Sequence, residues 1–222
     1  MAKKLYIVAT PIGNLDDISP RALETLKNVD IIYTEDTRKS SILLKHYDIV
    51  NTIDSYHAHS SENKKINILK HLVEGKDVAL VTDAGTPGIS DPGNELINYL
   101  LEKDPGIGVI PIPGPSALVT ALSASGFRAD KFVFIGFLPK KKRNKLFKWL
   151  KEGKMTFAFY ESPKRLVKTL EVLKEHFDGE SRIVVARELT KIHETIYRER
   201  LENIKIPEGE VKGEIVVVVE LH

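Results

Sequence analysis

Short apolar segments alternate with helical patterns through the first half of the chain, and this alternation limits the folds available to it. Five segments are candidate strands, at residues 5–9, 30–34, 52–56, 78–81 and 109–112, and the pattern at 52–56 is the weaker one. Patterns typical of helices lie between them, at residues 20–26, 41–46, 62–72 and 95–101. The first of these helices has Ser19 as a candidate N-cap, followed by Pro20. The alternation predicts a doubly wound, mostly parallel α/β sheet.

The second half of the chain has a different pattern, with strands that follow one another more closely. Strong strand patterns lie at residues 132–137, 156–160, 183–187 and 215–219, and a weaker one, typical of an edge strand, at 194–200. Helices are expected at residues 141–150 and 166–176. Consecutive strands favour antiparallel pairing, which predicts a mixed sheet. The Pro- and Gly-rich segment 111–115 predicts a boundary between an N-terminal α/β domain, 1–113, and a C-terminal α/β domain, 114–222.

Composition excludes several classes of protein. The 222 residues include no cysteine, which rules out disulfides, thiolate catalysis and cysteine-ligated zinc. No apolar run approaches the roughly 20 residues of a membrane helix, and the N-terminus lacks the pattern of a signal peptide, so a cytoplasmic protein is expected. The seven histidines lack the spacing of metal ligands, and the P-loop and nucleophile-elbow motifs are absent. We therefore expect neither a metal site nor a membrane partner.

Positive charge is concentrated in the middle of the chain. The net charge is only +2, yet residues 128–168 contain thirteen Lys or Arg against three Asp or Glu. Such asymmetry favours a surface that faces a polyanion, although runs of charge are more often solvated. Trp149 and Phe147 follow the densest cluster, whose members are candidate phosphate contacts: Lys140, Lys141, Lys142, Arg143 and Lys145.

Three loops rich in Gly, Pro, Thr and Asp follow predicted strands, at residues 9–14, 81–93 and 112–117. Loops of this composition allow close approach of a ligand to the backbone, and ligands of open α/β sheets bind beyond the carboxyl ends of the strands. Each loop alone is better explained as a structural turn or hinge, but three at the carboxyl edge of one sheet favour a binding site. The first has a single glycine, which argues against a dinucleotide-binding oxidoreductase. Asp83, at the end of a strand, is a candidate acceptor for ribose hydroxyls or for a positively charged group of a ligand.

Two charged segments also follow strands. Residues 35–38 contain two carboxylates and one guanidinium, and residues 160–165 contain one carboxylate and two cations. Both combinations suit a general base and an anion contact. An alternative of equal weight for the first segment is a helix cap by Asp36 or Thr37 with a surface ion pair.

Six motifs occur in an order that identifies a family. They lie at residues 5–15, 34–38, 82–93, 113–117, 159–163 and 186–191. Together they resemble the ribose 2′-O-methyltransferases of small-subunit ribosomal RNA, a family within the tetrapyrrole methylase superfamily. The resemblance implies a two-domain homodimer that binds S-adenosylmethionine in the interdomain cleft and methylates a cytidine ribose in the decoding centre.

The resemblance also implies which residues contact the cofactor. They are Pro11, Gly13, Asp83, Gly85, Thr86, Ile89, Ser116 and Ala117, with Tyr160, Ala186 and Gly213 from the second domain. Thr86 stands where the superfamily has an acidic residue in a Gly-Asp-Pro loop, and Asp83 is a candidate to compensate.

A ribose hydroxyl is a poor nucleophile until it loses its proton, so a general base is expected. The candidates are Glu35, Asp36 and Glu161. The expected contacts to the RNA of the small ribosomal subunit are Arg38, Lys164, Arg165 and the cluster Lys140, Lys141, Lys142, Arg143 and Lys145. Two alternatives stay open: a methyltransferase acting on a small tetrapyrrole, and a non-catalytic RNA-binding assembly factor that kept the fold.

Overall fold

A computed structural model of the protein describes residues 4–207 and 211–222. The chain divides into two compact units, the first ending at Ser116 and the second beginning at Ala117. The sequence analysis placed this boundary after residue 113. Within the described residues, no helix is both long and apolar enough to cross a bilayer.

The first unit is a parallel sheet with helices between its strands. The strands are β1 (Lys4–Val8), β2 (Ile31–Thr34), β3 (Thr52–Ser55), β4 (Val78–Leu80) and β5 (Gly108–Ile112). The helices are α1 (Pro20–Asn28), α2 (Thr37–His46), α3 (Glu62–Val73) and α4 (Asn94–Lys103). The strand order is β3-β2-β4-β1-β5, and every pair is parallel. The predicted doubly wound sheet is confirmed.

Side chains from the strands of this sheet are buried on both faces. Leu5, Tyr33 and Leu80 pack with α3 and α4 on one face. On the other face, Val8 and Ile32 pack with α1 and α2. This two-sided burial explains why β1, β2 and β4 read as largely continuous apolar runs rather than as alternating patterns.

Capping sets where two of the helices begin. The side chain of Ser19 accepts a hydrogen bond from the backbone N–H of Ala22, so the predicted start of α1 is confirmed. Helix α2 begins at Thr37, earlier than the predicted residue 41, because the Asp36 carboxylate accepts from the N–H of Arg38 and caps the first turn.

The second unit begins with a short helix and continues as a mixed sheet. Its helices are α5 (Ala117–Ser123), α6 (Arg143–Gly153) and α7 (Pro163–His176). Its strands are β6 (Phe132–Phe137), β7 (Thr156–Glu161), β8 (Arg182–Arg187), β9 (Thr195–Arg200) and β10 (Ile215–Glu220), in the order β6-β7-β10-β8-β9. Only the β6–β7 pair is parallel. The predicted mixed sheet is confirmed, and so is the edge position of β9.

The order of the first sheet brings the candidate loops to one edge. Strands β2, β4, β1 and β5 are consecutive neighbours, and all run in the same direction. Their carboxyl ends therefore lie side by side, and these ends lead into the segments that begin at residues 35, 81, 9 and 113. The topology thus supplies the common edge that the sequence analysis expected.

Candidate functional site

The first and second loops are joined by backbone hydrogen bonds. Thr10 and Gly85 form an isolated antiparallel bridge, with N–H to carbonyl distances of 2.9 and 3.0 Å in the two directions. The buried hydroxyl of Thr10 also donates to the carbonyl of Thr82 at 3.1 Å. Gly85 has φ +81°, a conformation that favours glycine. These contacts hold the loop after β4 against the loop after β1.

The third loop closes on the other two. A Cβ at Gly114 would lie 3.0 Å from the Cβ of Ala9, so only glycine permits this approach without displacement. The hydroxyl of Thr86 donates to the carbonyl of Pro115 at 3.2 Å. All three loops are therefore in mutual contact within the first unit.

The second loop is folded tightly upon itself. Asn94, at the start of α4, donates from its side-chain amide to the carbonyl of Gly88 at 2.7 Å. Gly88 has φ +83°, and a Cβ there would lie 2.6 Å from the side-chain oxygen of Asn94. The side chain of Ile89 is 43 % exposed despite its size. The loop thus presents an apolar side chain from a backbone that its own contacts hold in place.

Asp83 connects this assembly to the segment after β2. One carboxylate oxygen accepts from the backbone N–H of Asp36 at 3.1 Å, and the other accepts from Nζ of Lys39 at 2.6 Å. Sequence reasoning selected Asp83 and Asp36 but missed Lys39, because Lys39 reaches Asp83 only through the adjacency of β2 and β4. Asp83 therefore holds the loop after β4 against the segment after β2, in addition to the ligand contact expected of it.

The two neighbouring carboxylates after β2 have opposite electrostatic environments. Burial, followed by the negative charge of Asp83, raises the pKa of Glu35 above its usual value. Hydrogen bonds from the Arg38 side chain, and then from its backbone N–H, lower the pKa of Asp36 to about 2. Asp36 is therefore a persistent anion and a weak proton acceptor, whereas Glu35 has the greater affinity for a proton.

The third candidate base, Glu161, lies at the end of β7 in the second unit and is 2 % exposed. One of its oxygens accepts from the hydroxyl of Thr169 at 2.6 Å, and the other accepts from the backbone N–H of Ser162 at 2.7 Å. Nε of Arg165 lies 3.3 Å from the same carboxylate. These partners satisfy the polar atoms of the buried carboxyl group and give Glu161 a structural role.

Two of the candidate cofactor residues of the second unit lie on strands of its sheet. Tyr160 on β7 and Ala186 on β8 both lie opposite Val216 on β10, so all three are on one face of the sheet. Phe134 and Phe137 contact the ring of Tyr160 edge to face. This places an aromatic cluster beside Tyr160. The remaining candidates are Gly213, which precedes β10 and has φ +82°, and Ala117, the first residue of α5.

The structure separates the candidate RNA contacts into free and engaged cations. Among the described residues, no ion pair involves the exposed residues Lys140, Lys141, Lys142 and Lys145, the partly exposed Arg143, or the exposed Lys164. Arg38 is exposed but forms a two-point contact with Asp36, at 3.0 and 2.7 Å. Arg165 donates to the carbonyl of Leu138 at 2.6 Å and pairs with Glu161. The guanidinium groups of Arg38 and Arg165 therefore already have partners within the protein.

Across residues 4–207 and 211–222, no cluster of His, Asp or Glu has the arrangement of a metal site. The candidate site consists of backbone, hydroxyl and carboxylate groups. It is suited to bind and orient a polar ligand and to accept a proton from it.

Comparison with known proteins assigns the family. Residues 4–205 match the family of tetrapyrrole (corrin/porphyrin) methylases. The chain belongs to this family. The protein is thus a methylase, and relatives with the name "Ribosomal RNA small subunit methyltransferase I" match it over nearly its whole length. The relative from Halalkalibacterium halodurans is 47 % identical over 220 residues, which cover 97 % of this methylase and 75 % of the relative. The Thermotoga maritima relative is 46 % identical, with 97 % of each chain covered.

Solved structures support the fold of this methylase independently. A cobalamin biosynthetic enzyme, cobalt precorrin-4 methyltransferase, superimposes with a TM-score of 0.72 at 20 % identity. The match covers 98 % of the methylase and 95 % of that chain. At this identity the similarity concerns the fold alone, and the fold class expected from the sequence is confirmed.

Proposed function

We propose that this methylase transfers a methyl group from S-adenosylmethionine to the ribose 2′-oxygen of a cytidine in the decoding centre of small-subunit ribosomal RNA. The observation that carries the proposal is the identity of 46–47 % with relatives of that name, over 97 % of the chain. The three loops and the basic segment all lie inside residues 4–205, which match the family. The cytidine ribose as the methylated group comes from the motif resemblance.

The three joined loops fit an S-adenosylmethionine site. Gly85 has a backbone conformation that strains other residues, and Gly114 lies where a side chain would be crowded. At both positions the loops therefore present backbone amide and carbonyl groups rather than a side chain. Residues proposed to hold the cofactor from the first unit are Pro11, Gly13, Asp83, Gly85, Thr86, Ile89 and Ser116. Those proposed from the second unit are Ala117, Tyr160, Ala186 and Gly213. When bound, the cofactor supplies an electrophilic methyl group whose departure leaves a neutral thioether.

The residues of the chain have three tasks in this reaction. They align the ribose oxygen with the methyl group, they exclude water, and they accept the hydroxyl proton. Of the three candidate bases, we favour Glu35. Its raised pKa increases its affinity for a proton, whereas Asp36 is held by Arg38 and Glu161 is buried with three partners.

The basic segment supports the choice of RNA over a small tetrapyrrole. The exposed cations at 140–145 are free of ion pairs within the described part of the chain, so their charge is available to phosphates. Phosphate contacts position a nucleic acid, while the target base is recognised separately. We further propose that the enzyme is a homodimer in the cytoplasm, where its ribosomal substrate is found.

The decisive experiment is incubation of the protein with labelled S-adenosylmethionine and small ribosomal subunits that lack the modification, followed by nucleoside analysis. The expected product is labelled 2′-O-methylcytidine. Label in a base or in another ribose would overturn the cytidine 2′-O assignment. Binding of the subunit without binding of S-adenosylmethionine would instead favour the assembly factor. Transfer only to a porphyrinoid would favour the tetrapyrrole methyltransferase.

A further inference from the structure

Helix α6 exposes a large aromatic side chain beside a cavity. Phe147 and Leu150 of this helix are buried in the core of the second unit, at 2 % and 1 % exposure, whereas Trp149 is 53 % exposed. A cavity of about 260 Å³ adjoins it and is lined by Val133, Trp149, Leu150, Glu152, Gly153 and Met155. Pockets for drug-sized ligands have roughly 300–1,000 Å³, so this one suits a single flat ring system rather than a porphyrinoid.

The charge around the cavity favours a polyanion. Residues 140–154 contain eight Lys or Arg and a single acid, Glu152. Lys145 lies one helical turn before Trp149 and is therefore on the same side of α6. The one carboxylate of the segment lines the cavity, and its ion pair with Lys148 is long, at 3.9 Å. The surface thus combines an aromatic face, a hydrogen-bond acceptor and surrounding cations.

We propose that this cavity binds one unpaired nucleobase of a single-stranded RNA segment, stacked on the indole of Trp149. The exocyclic amino group of the base donates a hydrogen bond to Glu152, and the flanking phosphates contact Lys145 and its neighbours. Stacking of bases on exposed aromatic side chains beside basic grooves is the general mode of single-strand binding. The inference rests on the proposed function in that RNA is the partner.

The carboxylate of Glu152 gives the cavity a preference among bases. Cytosine and adenine carry an exocyclic amino group that a carboxylate accepts from, whereas uracil presents a carbonyl oxygen at the equivalent position. A carboxylate facing that oxygen lacks a donor and is repelled. The cavity therefore selects cytosine or adenine over uracil.

Trp149 is the only tryptophan of the chain, so its fluorescence reports on this cavity alone. The 222-residue protein is titrated with oligocytidylate, oligouridylate and an abasic oligomer of the same length. Each oligomer carries a dye so that anisotropy measures binding separately. We expect saturable quenching with oligocytidylate and binding at least about 5-fold weaker with oligouridylate. The abasic oligomer should bind without quenching. Equal quenching by all three would overturn the proposal.

Two variants retain the fluorophore. Glu152→Gln keeps the shape but can both donate and accept, so the preference for cytosine over uracil should disappear. Gly153→Leu fills the cavity: its backbone is not at positive φ, and a Cβ there meets Met155 at an ordinary 3.6 Å. This variant should abolish quenching while charge-driven binding remains. Quenching that survives the filled cavity would place the base elsewhere.

Trp149→Ala and Trp149→Phe separate stacking from folding. By anisotropy, Trp149→Ala should bind oligocytidylate between about 5-fold and about 150-fold more weakly, and Trp149→Phe should retain most of the affinity. Affinity for S-adenosylmethionine, unchanged in both, shows that the fold is intact. Equal binding by the Ala variant and the wild type would overturn the stacking role.

Different results would contradict the nucleobase pocket and the proposed methyl transfer. Methyl transfer to the small subunit without base-dependent quenching contradicts the nucleobase pocket and leaves the methyltransferase assignment in place. Base-dependent quenching without methyl transfer supports the pocket and contradicts the proposed reaction.

Discussion

Single side chains in this site differ by what surrounds them rather than by their chemistry. Glu35, Asp36 and Glu161 are all carboxylates that follow strands. One has its pKa raised by burial and a neighbouring charge, one has it lowered to about 2 by Arg38, and one is buried with three partners. The environment of Glu35 favours uptake of a proton, because it raises the pKa of that carboxyl group, whereas the environment of Asp36 opposes it.

Glu35→Gln tests the proposed base. The change should lower the single-turnover rate of methylation by about 10²- to 10⁴-fold, the usual contribution of a general base, with affinity for S-adenosylmethionine retained. In the wild type, the rate should fall as the pH drops through the raised pKa of Glu35, because only the ionised carboxylate accepts a proton. Asp36→Asn, which keeps an oxygen to cap α2, is the control. An equal loss of rate in that variant would transfer the role to Asp36.

Asp83→Ala tests whether the carboxylate supports the cofactor loops. It removes the acceptor for the N–H of Asp36 and for Lys39, so affinity for S-adenosylmethionine should weaken by more than about 1 kcal/mol. Isothermal titration calorimetry measures this affinity. Asp54→Ala breaks a comparable pair with Lys64, at 2.8 Å, and serves as the control. Unchanged affinity in Asp83→Ala would remove Asp83 from the site.

At the scale of elements, the loops depend on close backbone approach and the helices on their caps. Gly114 lies against Ala9, Thr86 against Pro115, and Thr10 against Gly85, so no loop is positioned alone. Helix α1 begins at a serine cap that also contacts the third loop, since the Ser19 hydroxyl donates to the carbonyl of Pro113 at 3.3 Å. The N-cap of α1 and the third loop of the candidate site therefore share one side chain, that of Ser19.

Gly114→Ala should distort the joined loops. The new Cβ would lie 3.0 Å from that of Ala9, closer than ordinary contact, so one loop must move. We expect weaker binding of S-adenosylmethionine with little change in the far-UV circular dichroism. Gly153→Ala, whose Cβ meets Met155 at 3.6 Å, is the matched control. Equal affinity in both variants would show that the approach of Gly114 is not needed.

Ser19→Ala should destabilise the first unit by about 1 kcal/mol, the typical cost of removing an N-cap. The reason is the unpaired N–H of Ala22 in the first turn of α1. Urea denaturation followed by circular dichroism measures the free energy of unfolding. Ser19→Asn, another good cap, should be destabilised far less, and an equal effect of the two changes would show that the cap is unimportant.

At the scale of the whole molecule, charge is distributed unevenly although the net value is only +2. Residues 128–168 contain ten more cations than anions, so the rest of the chain has a negative balance. Because a polyanion is attracted to one region and repelled by the other, this asymmetry would orient the proposed RNA substrate before specific contacts form.

Replacing the four cations Lys140, Lys141, Lys142 and Arg143 by Ala tests that role. RNA binding should weaken, and the slope of log affinity against log salt should become shallower by about 0.7 for each single-strand phosphate that the variant no longer neutralises. Affinity for S-adenosylmethionine should be unchanged. The control removes the same charge from the first unit by replacing Lys27, Lys45, Lys70 and Lys103. Equal effects of the two quadruple changes on RNA binding would show that only total charge matters.

The sequence alone determined the fold class, the number of strands and the set of loops. These features follow from local patterns: apolar runs, helical spacing, and Gly or Pro at strand ends. The start of α2 was misplaced because the capping contact of Asp36 was weighed only as an alternative. The family also emerged from the order of six short motifs, each of which is a local feature of the chain.

The tertiary structure decided which groups meet. Lys39 contacts Asp83 from 44 residues away, and Gly85 bridges Thr10 from 75 residues away. The difference between Glu35 and Asp36, adjacent in sequence, comes from burial and from the charge of Asp83 in one case and from Arg38 in the other. A pKa and a loop contact depend on the distances between atoms, and strand order, which short-range sequence patterns do not specify, sets those distances.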